Sequence, residues 1–138
     1  MRDEYQVPST KYQEKSDVNH FKDLIAWQRA MDLVEQIYRL TEAFPARENY
    51  GLSNQLRRAT VSVASNIAEG QARYSRKDFR HFLRVAKGSL AEIETQVLIA
   101  YRLGYVNQDS CDHCLDRIKE LGRILAGLIS SIHIHEPD

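Results

Sequence analysis

Apolar residues recur along the chain at spacings of three and four, the periodicity of α-helices that bury one face. This pattern predicts four helices, over residues 22–44, 52–70, 76–103 and 108–132. The alternation of apolar and polar residues that is typical of a strand is not found in the sequence. Four amphipathic helices joined by short connections are typical of an up-and-down bundle. We therefore expect an all-α protein with an antiparallel four-helix bundle over residues 20–134.

Each predicted helix carries one apolar stripe that should face the core. The inward residues are predicted to be Leu24, Trp27, Met31, Val34, Ile37, Tyr38 and Thr41, then Leu52, Leu56, Ala59, Val63 and Ile67, then Phe79, Phe82, Leu83, Ala86, Leu90, Ile93 and Val97, and finally Leu115, Ile118, Leu121, Gly122, Leu125, Leu128, Ile129 and Ile132. The second helix has a further strip, formed by Val61, Ala64 and Ala68, roughly 150° round from the first at about 100° per residue. This helix is therefore expected to contact two neighbours.

Residue types that begin or end helices lie between the predicted segments. Pro45 should stop the first helix, because proline has no backbone N–H to donate. Gly70 is interpreted as the end of the second helix and Gly104 as the end of the third, since glycine readily adopts the left-handed conformation found there. Ser75, with Asp78 three residues later, fits the N-cap of the third helix.

The two ends of the chain are polar and lack helical periodicity. We interpret residues 1–19 as an N-terminal tail and residues 135–138 as a short C-terminal tail. No apolar run approaches the roughly 18 residues that span a bilayer, and the N-terminus has no apolar signal core. The sequence thus predicts no membrane association and a cytoplasmic location, where its two cysteines stay reduced.

Charge is balanced overall but unevenly distributed. The 19 basic and 19 acidic residues give a formal net charge of zero. Residues 47–87, however, contain nine Lys or Arg against three acidic residues, and the remainder of the chain carries the compensating negative excess. A neutral protein with such a segment can still present a basic face.

The third predicted helix aligns basic residues on one side. At about 100° per residue, five of them fall within roughly 100° of arc, about 120° from the apolar stripe. This basic ridge is formed by Arg76, Lys77, Arg80, Arg84 and Lys87, with Arg73 just before it. Such a ridge is a candidate contact for nucleic-acid phosphates. The alternative is a solvated face that acids of another helix or subunit neutralise.

Two cysteines with C-x-x-C spacing, Cys111 and Cys114, could hold a metal. The nearest further ligands, His133 and His135, lie about 20 residues on, which is about 30 Å along a helix at 1.5 Å per residue. One chain therefore cannot assemble this site. We interpret the cysteines as ordinary helix residues, with a metal held between subunits as the alternative.

The sequence also contains no convincing catalytic motif. The segment around Gly70 has one glycine where a phosphate-binding loop needs several after a strand. Glu92 and Glu94 lie on different sides of a helix, and no Glu-x-x-His motif supports a di-iron site. The spacing of Ser62 and Ser65 supports no hydrolase triad. We expect no enzyme activity, no catalytic residue, no metal and no cofactor.

Three segments resemble a known family. They are residues 21–45 (FKDLIAWQRAMDLVEQIYRLTEAFP), residues 50–70 (YGLSNQLRRATVSVASNIAEG) and residues 75–96 (SRKDFRHFLRVAKGSLAEIETQ), followed by Leu103, Gly104 and Tyr105. Together they resemble the small bacterial four-helix-bundle proteins encoded in intervening sequences of 23S ribosomal RNA genes. That family is related to the accessory variability protein of diversity-generating retroelements. The resemblance covers about residues 21–132, and Ala64 departs from it where the family often has proline.

The resemblance implies an antiparallel bundle that assembles as a ring-like homopentamer. It also implies a non-catalytic protein that binds RNA or DNA through basic surfaces, as an accessory to a reverse transcriptase. The basic positions that match the family are Arg57, Arg58, Arg73, Lys77 and Arg84, and the ridge argument adds Arg76, Arg80 and Lys87.

Two functions follow from the sequence as hypotheses. The first is an oligomeric nucleic-acid-binding protein whose contacts are to phosphates and therefore read sequence poorly. The second is a protein-binding scaffold or adaptor that does not bind nucleic acid.

Overall fold

The computed structural model describes residues 20–134, and four α-helices account for most of them. They are α1 (Ile25–Glu42), α2 (Leu52–Ala72), α3 (Arg76–Arg102) and α4 (Gln108–Ser131). Two short 3-10 helices, Phe21–Asp23 and Ala46–Glu48, precede α1 and α2. Residues 20–134 contain no strand, so the predicted all-α class is confirmed. The predicted tails, residues 1–19 and 135–138, lie outside the described residues.

The four helices pack into a bundle around one core. Each helix contacts its neighbours in the chain, and α1 also packs against α4, with the most extensive contact between α2 and α3. Side chains pair across the α2–α3 seam, where Ser62 Oγ lies 3.1 Å from Ser89 Oγ and Gln96 Nε2 donates to Gln55 Oε1 at 3.4 Å. The fully buried side chains come from all four helices and include Leu33, Ile37, Leu56, Ile67, Leu83, Ile93, Leu121 and Leu125.

The first helix differs from its prediction in start and in orientation. It begins at Ile25 rather than at residue 22, because Leu24 has an extended backbone (φ −77°, ψ 128°). Its buried face contains Ala26 and Ala30, while Met31 and Tyr38 are exposed. At about 100° per residue, the true face is rotated by roughly 70° from the predicted one. The prediction followed the large apolar side chains, whereas the small side chains of Ala26 and Ala30 allow α1 to pack closely against the rest of the bundle.

The prediction that Gly70 ends the second helix is wrong. Gly70 lies inside α2, which continues to Ala72. A Cβ at this position would lie 2.7 Å from Phe82 Cβ and 3.2 Å from Phe79 Cδ1. The missing side chain is therefore what lets α3 approach the backbone of α2. The other predicted glycine stop is confirmed, because Gly104 follows α3 with a φ of +81°.

The strip of small residues predicted on the second helix is only partly buried. Ala64 is buried and Ala68 half-buried, but Val61 is exposed. The expectation that this helix contacts two neighbours holds, since α2 packs against both α1 and α3.

Glu48 ties the α1–α2 connection to the α3–α4 connection. One carboxylate oxygen accepts a hydrogen bond from the backbone N–H of Leu52 at 3.0 Å, and the other accepts from Tyr105 Oη at 2.8 Å. Both bonds favour the ionised form, so they hold the pKa of Glu48 below its ordinary value. Gly51 leaves room for this carboxylate, because a Cβ there would lie 2.7 Å from Glu48 Oε1.

The two cysteines face the core at the start of α4. Cys111 is 3% exposed and Cys114 is fully buried, and both are free. Burial raises the pKa of Cys114 to about 12, so its thiol stays protonated and unreactive. A metal shared between subunits would need exposed thiolates, and this burial provides none.

Replacing Gly70 with alanine should destabilise the protein by about 1–3 kcal/mol, because the added methyl group overlaps Phe82 and overpacks the seam. Urea unfolding monitored by circular dichroism measures this loss. The matched control is Gly88→Ala in α3, where a Cβ has open space. That change should stabilise the protein by about 0.5–1 kcal/mol, since an exposed helical glycine is unfavourable. Equal effects of the two substitutions would contradict the close-approach interpretation.

Replacing Glu48 with glutamine should lower stability at neutral pH and have little effect in acid. The folded pKa lies below the ordinary value of 4.5, so the carboxylate stabilises the fold above that pH and loses its contribution as pH falls through the folded pKa. Urea midpoints of the wild type and Glu48→Gln, measured across this range, should converge at low pH. A gap that is constant with pH would show that ionisation of Glu48 is not involved.

Candidate nucleic-acid interface

The predicted basic ridge lies on the first three turns of α3. Ser75 caps this helix, and its hydroxyl accepts a hydrogen bond from the backbone N–H of Asp78 at 3.2 Å, which confirms the predicted N-cap. Lys77, Arg84 and Lys87 are exposed, and none of the three forms an ion pair or hydrogen bond with another described residue. Three cations thus project into solvent on one side of α3.

Two further members of the ridge are partly engaged. Arg76 is exposed, and its Nη1 donates to the backbone carbonyl of His133 at 3.4 Å. Arg80 is half-buried and has interactions of its own. Since a carbonyl removes no charge, Arg76 still contributes fully to the positive potential of the ridge.

Arg73, just before the ridge, is the cation most firmly held by its surroundings. Its Nη2 donates to Glu69 Oε2 at 2.7 Å, and its guanidinium lies 5.0 Å from the ring centroid of Phe82. The hydrogen bond to Glu69 raises the pKa of Arg73. Its charge is partly balanced by this acid, so Arg73 adds less to the potential than the exposed ridge residues.

The part of α4 next to the ridge has no acidic residue. Arg76 contacts the carbonyl of His133, and a Cβ at Gly122 would lie 3.6 Å from Leu90. The second half of α4 therefore runs beside the ridge. From residue 121 to 131 its charged residue is Arg123, whereas the acids of this helix all occur earlier, at Asp109, Asp112, Asp116 and Glu120. Neutralisation by a neighbouring helix, the alternative raised by the sequence, is not provided by α4.

The partial charge at the N-terminus of α3 has the same sign as the side chains of the ridge. The N-terminus of a helix carries the equivalent of about half a positive charge. Arg76 and Lys77 occupy the first turn of α3 together with one acid, Asp78, and cations at this end are unfavourable for the helix itself. The fold therefore gains nothing from this placement, but an anion near the start of α3 would meet both fields.

The two arginines of α2 are separated from the ridge. Arg57 is half-buried, donates from Nε to Thr41 Oγ1 at 2.8 Å, and lies 5.2 Å above the ring of Tyr38. It thus packs α2 against α1. Arg58 is exposed on α2 and has no partner among the described residues. Because Gln55 contacts Gln96 and Ser62 contacts Ser89, the residues between Gln55 and Ser62 lie level with a part of α3 that follows the ridge.

A groove of about 770 Å³ lies elsewhere, between the end of α1 and the start of α4. Its lining has charges of both signs, with Arg39 and Arg117 alongside Asp109. Within residues 20–134 no three His, Cys, Asp or Glu side chains are grouped so that they could hold a metal ion, and none of the helices has an apolar stretch that would span a bilayer. With its mixed charge, this groove is a weaker candidate for phosphate contacts than the ridge.

Sequence reasoning missed that the half of α4 without acids lies beside α3. The order of charges along α4, acids first and none later, is visible in the sequence. What the sequence lacks is the packing of α4 on α3, which brings the later half of α4 next to the start of α3.

The chain was compared with known proteins. The model of the 23S rRNA-intervening sequence protein family matches residues 22–127. No curated protein matches the chain. Among solved structures, the chain is similar to a protein of unknown function from the S23 ribosomal protein family of Bacteroides thetaiotaomicron, with a TM-score of 0.73. That alignment has 21% sequence identity and covers 80% of this chain and 99% of the other.

At 21% identity, the structural likeness shows that the two chains share a fold. The family model covers most of the bundle. The resemblance to this family read from the sequence is confirmed. On the match over residues 22–127, the chain belongs to the 23S rRNA-intervening sequence protein family.

Proposed function

We propose that this protein is a non-enzymatic nucleic-acid-binding protein whose basic ridge contacts phosphates. The observation that carries the proposal is the set of exposed cations on α3, Lys77, Arg84 and Lys87, whose side chains form no ion pair with the described residues. Contacts of this kind supply affinity without sequence readout. Binding would take place in the cytoplasm, where the free cysteines stay reduced.

We further propose that the helices alternate in direction, as an antiparallel bundle. The support comes from residue pairs across the α2–α3 seam, namely Gln55 with Gln96, Ser62 with Ser89 and Gly70 with Phe82. As the residue number rises along α2, the number of its partner falls along α3. The connections after α2 and α3 are also short, which is typical of antiparallel neighbours.

We also propose that the protein is a homo-oligomer, with the ring-like pentamer that the resemblance implies. Large apolar side chains are exposed at the end of α3, and they are Leu98 (40%), Ile99 (42%), Tyr101 (40%) and Leu103 (56%). Several large apolar side chains exposed close together in the chain indicate a candidate protein-binding surface. A ring would repeat the ridge on one particle and raise the effective concentration for a polyanion.

The same apolar residues favour the second candidate function, a protein-binding scaffold. A reverse transcriptase is the partner that the resemblance to the accessory variability protein implies. In that role the apolar end of α3 would contact the enzyme, and the basic ridge would not be required. The two candidate functions therefore differ in whether the ridge is needed.

Reversing the charge of the ridge should abolish nucleic-acid binding. The variant Lys77→Glu, Arg84→Glu, Lys87→Glu changes three exposed residues without breaking a pair among the described residues. Titration of labelled RNA and DNA across a salt series gives the slope of log affinity against log salt. Each lost phosphate contact should reduce this slope by about 0.7 to 0.9, or about 2 to 3 for all three.

The matched control is Arg102→Glu, Arg117→Glu, Lys119→Glu, which alters total charge equally but away from the ridge. The control should keep most of the affinity and of the slope. Equal losses in both variants would assign binding to net charge alone. If the wild type binds neither RNA nor DNA at low salt, the scaffold function replaces this proposal.

The oligomer has its own test in sedimentation or light scattering at several concentrations. The wild type should have five times the 16.0 kDa protomer mass. Replacing Leu98 and Ile99 with glutamate should shift the protein toward the protomer, because charged side chains are unfavourable in a buried apolar contact. A monomeric wild type would overturn the pentamer and leave the phosphate-binding ridge unaffected.

A further inference from the structure

Tyr74 has an unusual backbone conformation for its residue type. Its φ is +56°, and it is the one non-glycine residue with positive φ among residues 20–134. Only glycine adopts this left-handed region freely, with asparagine and aspartate next. A tyrosine here costs the fold free energy that a glycine would avoid.

The fold explains the left-handed residue but not the aromatic ring. Arg73 ends α2, Ser75 caps α3, and Tyr74 alone reverses the chain between them. The ring is 84% exposed, so burial does not compensate for the strain. The side chain makes no hydrogen bond or ring contact with the described residues. Strain without an internal benefit is a reason to look for a role in binding.

Three basic residues lie close to Tyr74 in the chain, and two of them contact other parts of the protein. Arg73 and Arg76 lie within two residues of Tyr74 in the chain, and Lys77 lies within three. Their backbones are therefore close to that of Tyr74, because consecutive Cα atoms are only about 3.8 Å apart. Arg73 is fixed by Glu69 and by the ring of Phe82, and Arg76 by the carbonyl of His133. An exposed ring in the turn between α2 and α3 thus borders the start of the basic ridge.

We propose that Tyr74 is a stacking platform for an unpaired nucleobase, and that the ligand is single-stranded RNA or DNA. The inference rests on the proposed phosphate-binding function of the ridge and adds the ligand class. Proteins that bind single strands combine a basic track for the backbone with aromatic rings on which bases stack. In a duplex the bases are already stacked on each other, so the ring of Tyr74 has no face to meet.

Binding of labelled single-stranded RNA and DNA, and of duplexes of the same length, is measured for the wild type and for Tyr74→Ala. Loss of one stacked base should weaken single-strand binding by about 5- to 150-fold. Duplex binding should not change. The salt slope should stay the same, because no charge is removed. Tyr74→Phe should bind single strands like the wild type, since it keeps the ring.

The matched control is Tyr50→Ala, which removes a tyrosine that is 97% exposed in the α1–α2 connection. It should leave single-strand binding unchanged. Tyr74→Gly separates stacking from folding: it should unfold at a higher temperature than Tyr74→Ala, because glycine relieves the strain, yet bind equally weakly.

Several results would overturn the inference while leaving the ridge in place. They are undiminished single-strand binding by Tyr74→Ala, an equal loss for single strands and duplexes, and a loss of self-association without a loss of nucleic-acid binding. The last result would assign Tyr74 to a protein contact. A wild type that binds no nucleic acid would overturn the function of the ridge and this inference together.

Discussion

The close approach of α2 and α3 at Gly70 is the constraint on which the candidate site depends. With no Cβ at this position, Phe82 packs directly against the α2 backbone. This contact fixes the start of α3 relative to the end of α2, so the turn between the two helices needs only a few residues. In this short connection Tyr74 has a left-handed backbone conformation, and its ring is exposed. The position of the ridge beside the end of α2, with Tyr74 between them, therefore depends on the absence of a side chain at Gly70.

Much of this architecture could be predicted from the sequence because it follows from local signals. Apolar periodicity gave the four helices, and Ser75 and Gly104 marked the ends of α3 through capping chemistry that depends on a few neighbouring residues. The alignment of the ridge needed only the pitch of a helix. Each of these features depends on residues close in sequence.

The features that could not be predicted depend on contacts between distant residues. The face of α1 was misplaced because Ala26 and Ala30 are weak hydrophobic signals, although their small size determines how α1 packs. Gly70 has the same sequence signature whether it ends a helix or permits a close crossing, and only the position of Phe82 distinguishes the two. Likewise, the sequence does not show that Arg57 donates to Thr41 and lies over the ring of Tyr38, because both partners are on another helix. The absence of acids opposite the ridge required knowing which half of α4 lies there.

The uneven charge of this neutral chain has a consequence for how it behaves in solution. With equal numbers of acidic and basic residues and a pI of about 7.0, the molecule has no net charge to repel other copies at neutral pH. What it has instead is an electric dipole, with cations concentrated at the start of α3 and acids at the start of α4. The field of a dipole orients an approaching polyanion more than it attracts it. Salt screens this field within about one Debye length, 8–10 Å under physiological conditions, so the effect acts only at short range. Such a protein is least soluble near neutral pH when its ridge is empty, and covering the ridge with an anion gives the particle the negative charge that keeps copies apart.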